Sequence, residues 1–218
     1  RSRGLGDVYK RQDTYLVMHV VPVEWDSEHE LEKVMLIAQD IGQKHELENL
    51  ANTDGLTGLY NERYFNSILH KKELQKLPFI LFYLDLDHFK SVNDTYGHDM
   101  GDKLLKEAAN RLQSCIRSND YAFRIGGDEF SLVVCTEFDE SLCCRIKEQI
   151  QNRLCAPFDI DGKTLYIGSS CGYAAYPNDA STANEIRILA DQRMYAEKEK
   201  HHMFSSLSSS STGSGLEK

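Results

Sequence analysis

Two short stretches of this chain put carboxylates where chemistry is possible. The six apolar residues 79–84 end abruptly in Asp85-Leu86-Asp87. Alternate residues of a strand share a face, so the two acids project together. A charge at the end of a buried strand is costly unless it is paired or bound to metal. Mg²⁺ takes carboxylate oxygen, usually through one or two such groups plus substrate phosphates. On this feature alone a metal site and a solvated strand end are both open. The second stretch is Gly126-Gly127-Asp128-Glu129-Phe130. Two glycines permit positive φ and leave no side chain above the turn, so a ligand can approach the backbone. Taken alone, the string is simply a good hairpin turn. Joined to Asp85, its two acids make a cluster that repels itself until cations arrive.

These residues need elements to position them. The spacing of apolar residues predicts helices over 62–75, 99–116, 139–154 and 181–200. Residues 79–84 read as a central strand buried on both faces. Residues 121–125 and 128–135 read as a hairpin across Gly126-Gly127. Residues 165–176 read as a further strand, paired with 158–160 across Asp161-Gly162. The pattern implies an α+β fold: a central, mostly antiparallel sheet with a βαββαβ-like core flanked by helices.

The two ends of the chain differ from this core. DVYKRQ at 7–12 resembles a reading frame of a transposon-derived sequencing adapter, so residues 1–12 are set aside as an expected artefact. Residues 13–40 read as a β-hairpin, the C-terminal remnant of a truncated sensor domain resembling PAS. Residues 41–52 read as a helical linker, with Leu47 and Leu50 on one stripe. The Ser/Gly-rich residues 203–218 read as a disordered tail.

Composition removes some function classes. The 218 residues are 41% hydrophobic and 27% charged, which suits a globular domain. The net charge of −9 argues against a nucleic-acid polymer as partner, because phosphate backbones need a basic footprint. It leaves a nucleotide site open, since metal ions supply local positive charge. No apolar run is long enough to cross a bilayer, so no membrane contact is expected from this fragment. The six cysteines form no CxxC pair and read as reduced thiols, which places the expected location in the cytoplasm.

The strings FYLDLDHFKSVNDTYGHDMGD and RSNDYAFRIGGDEF, with DGLTGLYNER ahead of them, resemble the diguanylate cyclase (GGDEF domain) family over residues 53–202. The resemblance implies Mg²⁺ or Mn²⁺ as cofactor, GTP as substrate and cyclic di-GMP as product. It implies Asp85, the Leu86 carbonyl, Asp128 and Glu129 as metal ligands, with Asp128 or Glu129 as proton acceptor. Asn93 and Asp102 would recognise guanine, with His98 supporting the pocket. The backbone amides of His88, Phe89 and Lys90 and the ammonium of Lys198 would hold phosphates, with Gly126 and Gly127 leaving room above the turn. Each domain would hold one GTP, so two must meet in a homodimer. Arg117 and Asp120 resemble an inhibitory RxxD site for the product; the bland alternative is a surface ion pair.

The chain departs from that family pattern at its end. Arg193 and Glu197 stand where the family carries alanines, and His201-His202 stand where it carries Gly-Arg. Histidine lacks arginine's permanent fork of donors, so weaker, pH-dependent GTP binding is expected. Two other readings stay open: a catalytically weak module that receives GTP or cyclic di-GMP, and another nucleotide cyclase. Asp102 disfavours adenine in the latter, because an acid repels its ring acceptor.

Overall fold

The computed structural model describes residues 6–11, 14–25, 31–40 and 49–210. The chain divides into two units, Arg1–Asn52 and Thr53–Lys218. In the first, β1 (Gly6–Arg11), β2 (Thr14–Trp25) and β3 (Leu31–Asp40) form an antiparallel sheet in that order. β2 and β3 correspond to the hairpin read from the sequence. β1 comes from the residues set aside there as an artefact. Of the linker expected at 41–52, residues 41–48 lie outside the described residues.

The second unit carries a five-stranded sheet. Its strands are β4 (Tyr60–Asn61), β5 (Phe79–Asp87), β6 (Tyr121–Gly126), β7 (Glu129–Val134) and β10 (Gly168–Tyr176), in the order β10-β5-β7-β6-β4. Only the short β4–β6 pairing is parallel. Five helices flank it: α1 (Glu62–Leu74), α2 (Phe89–Tyr96), α3 (His98–Gln113), α4 (Glu140–Leu154) and α5 (Ala183–Ser210). This is the mixed α+β architecture that the sequence pattern implies.

β5 is buried along its whole length because both faces are covered. Ile80, Phe82, Leu84 and Leu86 enter one core with Leu104, Ala108 and Leu112 of α3 and Ile150 and Leu154 of α4. Phe79, Leu81 and Tyr83 enter the other with Phe65 and Ile68 of α1 and Ile186, Ala190 and Met194 of α5. Helix starts are fixed locally: the Asn61 and Asp139 side chains accept from the amides of Tyr64 and Leu142. Asp85 and Asp87 continue the Phe79–Tyr83 face and therefore meet α5.

The structure corrects three expectations and adds one strand. The strand expected over 165–176 is two strands: β9 (Lys163–Leu165) pairs with β8 (Phe158–Ile160) in a separate ribbon, and β10 begins at Gly168. The hairpin turn is Gly127-Asp128, with Gly126 still in β6. A one-residue register shift between Arg124 and Gly126 causes that displacement. The two-residue strand β4 is too short for a periodicity signal. Finally, α5 runs on to Ser210 through part of the stretch expected as a disordered tail. Propagating an anchored helix adds one hydrogen bond per residue without a new nucleus, which offsets the low propensity of serine.

α5 sits on β10 through the absence of one side chain. A Cβ on Gly172 would lie 2.2 Å from both the Ala190 carbonyl oxygen and the Met194 amide nitrogen. These are backbone atoms that cannot turn aside. Gly172→Ala is therefore expected to destabilise the domain by about 1–3 kcal/mol through overpacking. Urea unfolding of the two proteins checks this, and an unchanged midpoint contradicts the close approach.

Candidate functional site

The acids of the two sequence stretches come together at one end of the central strands. Asp85 on β5 is the register partner of Glu129 on β7. The Leu86 amide donates to the Asp128 carbonyl at 3.2 Å, which locks the turn beside the strand end. Asp85 is 5% exposed. Burial, then the charges of Asp128 and Asp87, push its carboxyl above the ordinary range, against the opposing pull of Lys198. Burial, then Asp85, Asp191 and Asp128, push Glu129 up likewise.

One cation from α5 answers this charge. Lys198 Nζ lies 2.7 Å from Asp85 Oδ1. That oxygen is inaccessible to solvent, and the lysine is the cation that meets it. Burial works against the charged lysine, but Asp85, with Asp128 and Asp87 behind it, raises its pKa above the ordinary value.

Asp87 has a different set of partners. Its Oδ1 accepts from Ser170 Oγ at 2.7 Å, and its Oδ2 lies 2.9 Å from His201 Nδ1. A Cβ at Gly168 would meet that Oδ2 at 2.9 Å, so glycine there leaves room for the carboxylate. His201 thus fixes α5 to the strand end one turn beyond Lys198. The other two departures from the family pattern also pin this helix. Glu197 pairs with Lys147 and accepts from Gln151 at 2.6 Å, both on α4. Arg193 donates to the Tyr173 carbonyl at 2.7 Å and pairs with Asp179 at 3.1 Å. The His202 side chain lies outside the described residues.

The turn itself is braced by Arg124, whose role has no local sequence signal. Its Nε and one terminal nitrogen donate to the Gly127 carbonyl at 3.0 and 2.9 Å. The other terminal nitrogen meets Asp54 Oδ1 at 3.1 Å. Asp54 is oriented by Thr57, whose amide donates to it at 2.9 Å. Burial works against ionisation of Asp54, but Thr57 and Arg124 together hold its carboxyl below the ordinary range. The DGLTGLYNER segment is thereby tied to the GGDEF turn.

The remaining expected residues fall in two places. His88, at φ 62°, turns the chain from β5 into α2, and the amides of Phe89 and Lys90 open that helix. Such first-turn amides have no intrahelical acceptor and suit an anion. Asn93 lies over the start of α3: a Cβ on Gly101 would fall 1.9 Å from its Oδ1. Asp102, the next residue, is exposed, as is His98 at the start of α3. Asn93 and Asp102 thus share the α2–α3 junction.

Away from this end, Arg117 and Asp120 line a cavity of about 220 Å³ with Asn119, Arg145 and Gln149. The sequence reading missed Arg145, which comes from α4. Asp120 is not paired through its side chain with Arg117 as the bland alternative supposed. Its Oδ2 accepts from the Arg117 amide at 3.0 Å and its Oδ1 from the Cys135 amide at 2.9 Å. Each oxygen keeps a second lone pair.

The donor set fits a hard divalent cation. The oxygens are carboxylates and a carbonyl, one of them inaccessible to solvent, and a lysine ammonium stands where an ion would neutralise them. Among the described residues no three His, Cys, Asp or Glu side chains are already drawn into a cage. A Mg²⁺-type ion needs only one or two carboxylates when phosphates complete its shell.

Similarity to known proteins agrees with this geometry. Residues 51–203 match the family described as Diguanylate cyclase, GGDEF domain. The chain is 35% identical over 179 residues to the bifunctional diguanylate cyclase/cyclic di-GMP phosphodiesterase MucR of Pseudomonas aeruginosa, covering 80% of this chain and 26% of MucR. It is similar to the crystal structure of a sensory box/GGDEF family protein from Caulobacter crescentus, at 37% identity and TM-score 0.61, covering 68% of this chain and 99% of that one. It is also similar to the coiled coil and GGDEF domain of DgcB from the same organism in complex with c-di-GMP. There the identity is 26% and the TM-score 0.65, covering 72% of this chain and 86% of that one. The chain spans less than half the length of the curated relatives it matches.

Two predictions follow from the local geometry. Gly126 has neither a positive φ nor anything within 4 Å of an added Cβ, so the fold does not require glycine there. Gly126→Ala is expected to leave unfolding stability within about 0.5 kcal/mol of the parent; a larger loss assigns that glycine to the fold. The second concerns pH. A folded-state pKa raised above the unfolded value of 4.5 means that Glu129 costs stability as pH rises above 4.5. Glu129→Gln is expected to unfold later than the parent near neutral pH and to match it below pH 4.5 in metal-free buffer. Thermal melts across that window check it, and a gain confined to acid contradicts it.

Proposed function

We propose, because this chain belongs to the diguanylate cyclase GGDEF-domain family, that it condenses two GTP into one cyclic di-GMP and two pyrophosphates. The observation that carries this reading is the meeting of Asp85, Asp128 and Glu129 at a turn that Gly126 and Gly127 leave unobstructed. A degenerate binding module has no need of this cluster of like charges.

Asp85, the Leu86 carbonyl, Asp128 and Glu129 hold Mg²⁺ or Mn²⁺ in this proposal. The bound ion neutralises the triphosphate and lowers the pKa of the attacking hydroxyl. Asn93 and Asp102 grip the guanine edge, with His98 beside them, and the amides of His88, Phe89 and Lys90 receive phosphate oxygens. The 3′-oxygen of one GTP then bonds to the α-phosphorus of the other, and the bond from that phosphorus to the β-phosphate bridge breaks. Glu129, the register partner of Asp85 at the strand end, is the candidate acceptor for the departing proton. Asp128 beside it is the alternative acceptor. The same step repeated closes the ring. Since each domain presents one such site, two copies face one another as a homodimer.

The cavity at Arg117 and Asp120 is proposed to bind the product. Two arginines, Arg117 and Arg145, border it, and guanidinium forks suit phosphate and guanine edges.

The test is chromatography of the products formed from GTP and Mg²⁺. The parent is expected to form cyclic di-GMP, and Asp85→Ala to lose about 100-fold or more in rate. Gly126→Ala is expected to lose activity without losing stability. Arg117→Ala is expected to abolish the slowing that sets in as product accumulates. A folded parent that binds cyclic di-GMP but forms none supports a receptor role instead.

A further inference from the structure

We propose that Lys198 is an exchangeable counter-ion: its ammonium holds the place of a divalent cation on Asp85, leaves when that cation binds, and turns to the anion the cation brings. This rests on reading Asp85 as a metal ligand. The motivating contact is the 2.7 Å approach of Nζ to a carboxylate oxygen that is shut off from water. The ammonium neutralises that oxygen from the position a metal ion would take on it. A divalent cation serves the same oxygen with twice the charge. Both cannot occupy that position.

The lysine has freedom to move. Its side chain is 28% exposed, and a flexible four-carbon stem carries the charge. The helix beneath it lacks this freedom. On one side, Glu197 is tied to Lys147 and Gln151. On the other, His201 is tied to Asp87 and, at 3.2 Å, to Ser170. Further back, Arg193 holds Asp179 and α5 lies against Gly172. Exchange is therefore a rotation of one side chain from a fixed pivot, and α5 stays seated. His201 is a positioning residue in this scheme, because it keeps the pivot in place once Lys198 has let go of Asp85.

A linkage follows. Metal alone must displace a buried ion pair and leave an ammonium unpaired among fewer carboxylates. Metal arriving with a triphosphate returns a partner to that ammonium. Lys198 thus opposes the first event and favours the second, which makes cation and nucleotide binding cooperative. Removing the charge has opposite signs on the two.

The experiment is Mn²⁺ titration of the full chain, read by electron paramagnetic resonance, with and without a GTP analogue whose α–β bridge resists cleavage. Thermal melts confirm that each variant is folded. Without nucleotide, Lys198→Met is expected to bind Mn²⁺ about five- to tenfold more tightly than the parent, and Lys198→Arg to stay near it. With the analogue present, the parent's gain in Mn²⁺ affinity is expected to shrink in Lys198→Met by more than that factor, because the variant also loses the lysine's contact to the bound anion. Unchanged or weaker nucleotide-free binding in Lys198→Met overturns the exchange. Asp85→Asn separates the two readings: if it binds Mn²⁺ as the parent does, the ligand assignment of Asp85 has failed. Because these titrations involve no turnover, a chain that makes no cyclic di-GMP still gives a decisive result.

Discussion

The site depends on an electrostatic imbalance built into one strand. β5 is apolar and buried until its last turn of pleat, then sets two carboxylates, 5% and 4% exposed, into the same protected face. Two more acids arrive from the β6–β7 turn. Ionised carboxylates so placed lose hydration and repel one another, so each needs a cation or a set of donors. The fold gives the two strand acids different answers. Asp87 takes directional contacts from Ser170 and His201 and is held as a structural anchor. Asp85 takes the single ammonium of Lys198, carried on a flexible and partly exposed stem, and so remains open to exchange.

Everything around this end keeps the imbalance in place. Gly172 lets α5 approach β10 closely enough for Lys198 and His201 to reach the strand end. Arg124 grips the turn carbonyl of Gly127 and ties it to Asp54, 70 residues earlier in the sequence and on the other side of β5. The turn consequently has two supports, the ladder to β5 and the Arg124–Asp54 pair. A rigid turn keeps Asp128 and Glu129 near Asp85 despite their repulsion, which is how such a site stores readiness for a cation.

Much of this was legible in the sequence, for identifiable reasons. The continuous apolar run ending in Asp85 announces a central strand, and the glycine pair followed by acids announces a turn with clearance. Both signals are local and strong. What escaped is set by contacts between distant segments or by single-residue register. The shift at Arg124 to Gly126 moved the turn by one position, and no composition rule marks it. The break between β9 and β10 lies inside a stretch whose residue types favour one continuous strand. Arg193, Glu197 and His201 read as departures from a family pattern; their meaning appears only when Asp179, Lys147 and Asp87 are brought to them. Asp120 read as half of a product-binding RxxD pair, yet in the fold both of its oxygens also hold backbone amides.

The central claim is that these acids gather around one divalent cation beside a nucleotide. Crystals of the chain grown with Mn²⁺ and a non-cleavable GTP analogue, measured at the manganese absorption edge, test it most directly. The account predicts an anomalous peak within bonding distance of a carboxylate oxygen of Asp85 and of Asp128 or Glu129. A nucleotide bound at the α2–α3 junction with no manganese at the strand end, or manganese held by other residues, contradicts it.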